Sequence, residues 1–116
     1  MKTVLVIEDD ELIRDGILNI LSSRGINAIA AVDGRSGLQL ARDIIPDLIL
    51  CDIRMPELNG YEVLSALRQD SRTAQIRLIF LTAENPLDLI NLGANGYITK
   101  PFTTAQLLSA IAPYLF

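Results

Sequence analysis

Glu8, Asp9, Asp52, Thr82 and Lys100 are the residues whose types and spacing could do chemistry. Each lies just past a short apolar run, over residues 3–7, 47–51, 76–81 and 97–99. The run Leu48-Ile49-Leu50-Cys51 before Asp52 reads as a strand buried on both faces. A residue at the carboxyl end of such a strand sits where ligands bind in open parallel α/β sheets. Parallel strands bring all these ends to one edge, and a first strand lying beside the third makes three carboxylates meet there. Such a cluster repels itself unless a cation is present. Oxygen donors with open positions favour Mg²⁺, which keeps several waters and binds through one or two carboxylates plus a phosphate. One carboxylate stays free to attack phosphorus, while a metal and a lysine neutralise the transferred oxygens. On this reading Asp52 receives a phosphoryl group. Thr82 donates a hydroxyl hydrogen bond to it, Ala83 leaves room, and Lys100 supplies a compact charge. Lys2 is the only other lysine in the chain.

The elements that must position these groups alternate along the chain. Thr3–Ile7 is a β-branched run, and Asp10 can cap a helix carrying Leu12, Ile13, Ile17, Ile20 and Leu21 on its apolar face. Gly25 stops it. A weaker strand follows over 26–31, then a helix entered at Asp33-Gly34 and closed by Pro46. After the Asp52 loop, Gly60 opens a helix with Tyr61, Val63, Leu64 and Leu67. A polar connection leads to the strand over 76–81. Pro86 suits the first position of a short helix over 87–92, ended by Gly93. Residues 97–99 form a brief fifth strand, and Thr103 or Thr104 caps a last helix that Pro113 should kink or end. Five strands alternating with five helices predict right-handed crossovers and a parallel sheet covered on both faces.

Composition narrows the function classes. A chain of 116 residues makes one domain. With half its residues apolar and only 5% aromatic, its core is aliphatic. The net charge is −4 and no Lys/Arg cluster occurs, so direct nucleic-acid binding is not expected. Without histidine, imidazole acid–base catalysis and most zinc sites are excluded. The single Cys51 excludes an internal disulfide and suits a reducing compartment. No apolar run approaches the ~18 residues that span a bilayer, so a cytoplasmic protein with no membrane association is expected.

Taken singly, these residues have plainer readings. An acidic run is usually a solvated helix start, and an Asp after a strand is often a turn or cap residue. Tyr97 could be simple packing, and Cys51 a small buried filler. The register of Asp52, Thr82 and Lys100 with the acidic run, together with Met55-Pro56 and Gly60, favours the chemical reading.

Over essentially its whole length, from Val4 to the last helix, the chain resembles a response-regulator receiver domain, the phosphoacceptor half of two-component signalling. The most family-specific strings are Asp52-x-x-Met55-Pro56-x-x-x-Gly60 and Lys100-Pro101-Phe102. The resemblance implies a flavodoxin-like three-layer α/β/α sandwich with strand order 2-1-3-4-5 and a cis Lys100–Pro101 peptide. It implies Mg²⁺ held by Glu8, Asp9, Asp52 and the Arg54 carbonyl, with Asp9 a direct ligand. Asp52 would be phosphorylated by a histidine kinase or phosphotransfer protein, and Thr82 and Tyr97 would switch. The face built from the 87–92 helix, the fifth strand and the last helix would then meet a downstream protein, as a monomer or a phosphorylation-dependent dimer. Residues 1–116 would be receiver alone, without an output domain, turning over no separate substrate.

Two departures stand out. Only residues 83–99 separate Thr82 from Lys100, about one helical turn fewer than the family pattern. Arg54 and Glu84 sit two residues past Asp52 and Thr82, where a salt bridge between them would slow hydrolysis of the phosphoryl group. Two other classes remain open. One is a docking module independent of phosphorylation. The other is an Asp-nucleophile phosphohydrolase, disfavoured because Arg54 stands where a second carboxylate is wanted.

Overall fold

The computed structural model describes residues 1–83 and 92–116. Its order is β1 (Thr3–Ile7), α1 (Glu11–Ser23), β2 (Asn27–Ala31), α2 (Gly34–Ile44), β3 (Leu48–Asp52), α3 (Gly60–Gln69), β4 (Arg77–Thr82), β5 (Gly96–Thr99) and α4 (Thr104–Leu115). The sheet runs β2-β1-β3-β4-β5 with every pair parallel. This is the expected flavodoxin-like order, and β1 does lie beside β3. Asp52 pairs with Leu81 and Thr82 with Thr99, so both are the last residues of their strands rather than the first residues of loops. The short helix expected over 87–92 lies outside the described residues except for Leu92, which turns the chain with Gly93.

Strand periodicity builds the three layers. Leu5, Ile7, Ile49, Leu78 and Phe80 point to one face and meet Leu38, Val63, Leu64 and Leu67 of α2 and α3. Val4, Val6, Leu50, Ile79 and Ile98 point to the other and meet Ile17, Leu21, Leu107 and Ile111 of α1 and α4. Each such side chain contributes roughly 1.5–3 kcal/mol by leaving water. Short polar side chains start the helices. Asp10 and Asp33 each accept a backbone N–H three residues on, and Asn59–Glu62 and Thr103–Gln106 close reciprocal capping boxes.

One expectation is corrected. Leu12 is not core: it is 86% exposed, because the buried stripe of α1 is set by Ile17 and Leu21 and Leu12 falls outside it. Pro113 lies within the last turn of the final helix, which stops two residues on at Leu115. The N–H that proline lacks would have bonded the carbonyl of Ser109, and Ser109 is exposed, so water can serve that carbonyl instead. Among the described residues no helix is long and apolar enough to cross a membrane.

Gly60 marks where α3 passes closest to the site. Its N–H donates to the Ile53 carbonyl at 2.8 Å. A Cβ there would strike the Asp52 carbonyl oxygen and come within 2.8 Å of Ile53 Cα, both backbone atoms. Gly16, inside α1, has open space around it. Gly60→Ala is therefore expected to cost about 1–3 kcal/mol in urea unfolding. Gly16→Ala should instead stabilise by roughly 0.5–1 kcal/mol. A Gly60→Ala protein as stable as wild type would contradict this account.

Candidate functional site

The carboxyl edge of the sheet collects the polar residues that the core excludes. Glu8 follows β1, its backbone N–H held by the Ala31 carbonyl at 3.1 Å, and its side chain is fully buried. Asp52 is 7% exposed and Thr82 5%, whereas Asp9 is exposed. One carboxylate oxygen from each of Glu8, Asp9 and Asp52 lies within 4.8 Å of the other two. The structure thus brings together the acidic residues expected from the sequence.

Lys100 reaches this cluster from β5, which is three strands from β1, roughly 14 Å at ordinary strand spacing. A lysine side chain alone cannot cover that distance. At Lys100 the backbone still runs alongside β4. Its N–H donates to the Thr82 carbonyl at 2.7 Å, continuing the parallel ladder of the Thr82–Thr99 pair. The lysine and Glu8 side chains therefore reach toward each other across the strand ends. From there Lys100 Nζ sits 2.7 Å from Glu8 Oε1 and 3.2 Å from Asp52 Oδ1. The Lys100–Pro101 peptide is cis, as the family resemblance implied. Arg54 follows Asp52 by two residues and is exposed, and Tyr97 is 46% exposed on β5. Glu84 lies outside the described residues.

Sequence reasoning missed the Lys100–Glu8 pair, having assigned Glu8 to a metal and Lys100 to a phosphoryl group. It also missed Arg14, whose guanidinium donates to the Glu8 backbone carbonyl at 3.1 Å. No local pattern signals the Lys100–Glu8 contact, which spans 92 positions and depends on the strand order, whereas the Arg14 contact is local and joins residues six positions apart.

Burial pushes the Glu8 carboxyl up to about 7; the Lys100 hydrogen bond opposes this, and the Asp52 carboxylate adds to it. Burial pulls Lys100 down, but its pairing with Glu8 and Asp52 prevails and raises it. Cys51, fully buried beneath Asp52, is pushed up by desolvation and then by the nearby carboxylates, which makes it a packing residue and no nucleophile. Three carboxylates face one ammonium, so the edge retains excess negative charge. Its donors are all oxygen, which fits Mg²⁺.

The chain matches the response regulator receiver domain family over residues 4–112. It belongs to that family. It is 36% identical over 119 aligned positions to the DNA-binding dual master transcriptional regulator RpaA of Synechocystis, covering 99% of this chain and 49% of that protein. It is 39% identical to the transcriptional regulatory protein CpxR of Escherichia coli, covering 99% and 50%. The receiver thus spans about half the length of the curated relatives it matches. Among solved structures, the chemotaxis protein CheY4 of Vibrio cholerae superposes with TM-score 0.92 at 30% identity, over 99% of both chains. The receiver domain of sensor histidine kinase PA1611 from Pseudomonas aeruginosa, solved with a magnesium ion coordinated in its active-site cleft, gives 0.89 at 28% identity, over 97% and 96%.

The buried Glu8 predicts a pH dependence of stability for this receiver. Its folded value of about 7 exceeds its ordinary 4.5, so the folded state binds the proton more tightly than the unfolded chain. The stability it contributes is complete below about pH 4.5 and is lost as pH rises through 7. Asp33 and Asp70 are shifted downward by their hydrogen bonds to Ser36 and Arg72, so their contributions change only below their ordinary 3.8, outside this window. Without divalent cations, urea unfolding free energy is expected to fall by on the order of 2–3 kcal/mol between pH 4.5 and 7.5. Glu8→Gln should flatten that fall; an equal slope in the variant would show that Glu8 is not its source.

Proposed function

We propose that this receiver accepts a phosphoryl group on Asp52 from the phosphohistidine of a histidine kinase or phosphotransfer protein. The observation that carries the reading is Lys100 Nζ lying between Glu8 and Asp52 with Asp9 alongside, an acceptor carboxylate already set beside its charge partners. An Asp52 oxygen attacks phosphorus, the new O–P bond forms as the N–P bond breaks, and imidazole leaves. Lys100 neutralises a phosphoryl oxygen, and the buried Thr82 offers its hydroxyl to another. Glu8, Asp9, Asp52 and the Arg54 carbonyl would hold Mg²⁺, which supplies charge neutralisation at the transferred group. Between Leu12 and Ile17 of α1 and Pro101-Phe102 lies an apolar cleft of about 500 Å³ that Lys100 and Ala83 also line, a surface against which a donor protein can rest beside the acceptor.

The added charge, about −1.5 to −2 by analogy with other phosphorylated side chains, draws Thr82 toward the phosphoryl group. Tyr97 then has room to turn inward, and the face carrying β5 and α4 shifts its population toward the form that a downstream protein recognises. The receiver acts by protein contact, without direct nucleic-acid binding, in the cytoplasm, and turns over no separate substrate.

Incubation with Mg²⁺ and acetyl phosphate is expected to add one phosphoryl group by intact mass, and Asp52→Asn should add none. No gain and no Mg²⁺ binding would favour the phosphorylation-independent docking module instead. Steady phosphate release from a phosphoester far beyond one equivalent would favour the hydrolase. A salt bridge that Arg54 could form with Glu84 over the phosphoryl group is expected to protect it. Arg54→Ala should shorten its lifetime roughly two- to fivefold, and an unchanged lifetime would remove Arg54 from that role.

A further inference from the structure

Asp9 is the exposed member of the carboxylate trio, and among the described residues nothing hydrogen-bonds its side chain. Its direction is therefore set by the backbone on either side. On one side Asp10 is fixed as the cap of α1. Its carboxylate accepts the Ile13 N–H at 3.2 Å, and its carbonyl accepts the Arg14 N–H at 2.9 Å. On the other side stands the Glu8–Asp9 peptide, just past Ile7, where β1 ends.

The Glu8 N–H still bonds the Ala31 carbonyl of β2, but no backbone N–H among the described residues reaches the Glu8 carbonyl. Its partner is the Arg14 guanidinium, with Nη1 at 3.1 Å. Glu8 has no exposed surface, so water does not serve that carbonyl, and a buried carbonyl without a partner is costly. Side chains of an α-helix lean toward its start, which lets Arg14, at the end of the first turn of α1, reach back six positions. The guanidinium ion-pairs with none of the three carboxylates, so it acts there on the backbone. We propose that Arg14 is a positioning residue for the cation: by holding the Glu8 carbonyl it fixes the peptide that sets the Asp9 carboxylate beside those of Glu8 and Asp52. This rests on the reading of the site as a cation-assisted acceptor. The positive charge of Arg14 works against the same binding, because a guanidinium close to the trio repels a divalent cation. Bond and charge therefore push cation affinity in opposite directions, and one substitution separates them.

Arg14→Met keeps an apolar stem and removes both the donor and the charge. With the bond as the larger effect, calorimetric Mg²⁺ affinity is expected to fall roughly tenfold, the lower end for a group that orients a metal ligand. Arg14→Lys returns a donor and a charge and should recover most of that loss. Tighter Mg²⁺ binding by Arg14→Met would show that Arg14 is only a nearby charge and would overturn the proposal. Unchanged affinity with a lower urea midpoint would also overturn it, as the mark of a residue that serves the fold alone. One measurement needs no variant and decides the matter even where Arg14→Met folds poorly. In ¹⁵N-arginine-labelled wild type, the Arg14 guanidinium protons should be protected from solvent exchange both without and with Mg²⁺, and rapid exchange in both states would overturn the proposal. Labelling of wild-type Asp52 by acetyl phosphate reads the acceptor separately, so any of these failures leaves that reading intact. Weaker Mg²⁺ binding by Arg14→Met without phosphorylation of wild-type Asp52 would uphold the positioning role and remove the acceptor reading. No Mg²⁺ binding to wild type would overturn the proposal together with the cation's part in the proposed function.

Discussion

A carboxylate with no exposed surface has to be answered by a cation or a proton, and in this receiver the burial of Glu8 organises the carboxyl edge of the sheet. Lys100 answers it at 2.7 Å and touches Asp52 at 3.2 Å, so one ammonium links the ends of β1 and β3 to the chain leaving β5. The lysine's backbone stays in the ladder with β4, its N–H on the Thr82 carbonyl, and its side chain crosses the strand ends toward Glu8. Thr82 thus has two tasks. Its carbonyl holds the backbone of the lysine, and its side chain stands buried at the end of its strand.

The aliphatic core makes this arrangement rigid. Both faces of β1, β3 and β4 are sealed by helices, and the strands hold a continuous parallel register up to Asp52 and Thr82. The polar groups therefore emerge at fixed positions on one edge, and the close passage of α3 at Gly60 locks the loop that follows Asp52. Nearly all the stabilising burial lies below the edge, and nearly all the unfavourable charge lies on it. That separation lets the site keep excess negative charge without endangering the fold.

The relatives of known function place this receiver beside transcriptional regulators about twice its length, whereas the most similar folds include a chemotaxis protein of matching length and a receiver from a sensor kinase. One phosphoacceptor edge therefore serves very different outputs across the family. The difference must lie in the surfaces around it, such as the cleft between α1 and Pro101-Phe102 and the face carrying β5 and α4.

Much of this was legible in the residues themselves. Apolar runs ending at Ile7, Cys51, Leu81 and Thr99 specify strands by local propensity and period. Asp10, Asp33, Asn59 and Thr103 specify helix starts by satisfying backbone donors within one turn. These are short-range effects, carried by neighbouring residues, and the site residues follow from them once the strands are parallel. Other features answered only to the tertiary structure. Leu12 lies in water although its type suggests core, because the angle at which α1 docks decides which stripe is buried. Pro113 is tolerated inside α4 because the carbonyl it deprives belongs to an exposed residue. The pairing of Lys100 with Glu8 spans 92 positions of chain. It was decided by the strand order that sets the ends of β1, β3 and β5 on one edge and by the burial of Glu8 there, two facts that no local pattern of residues encodes.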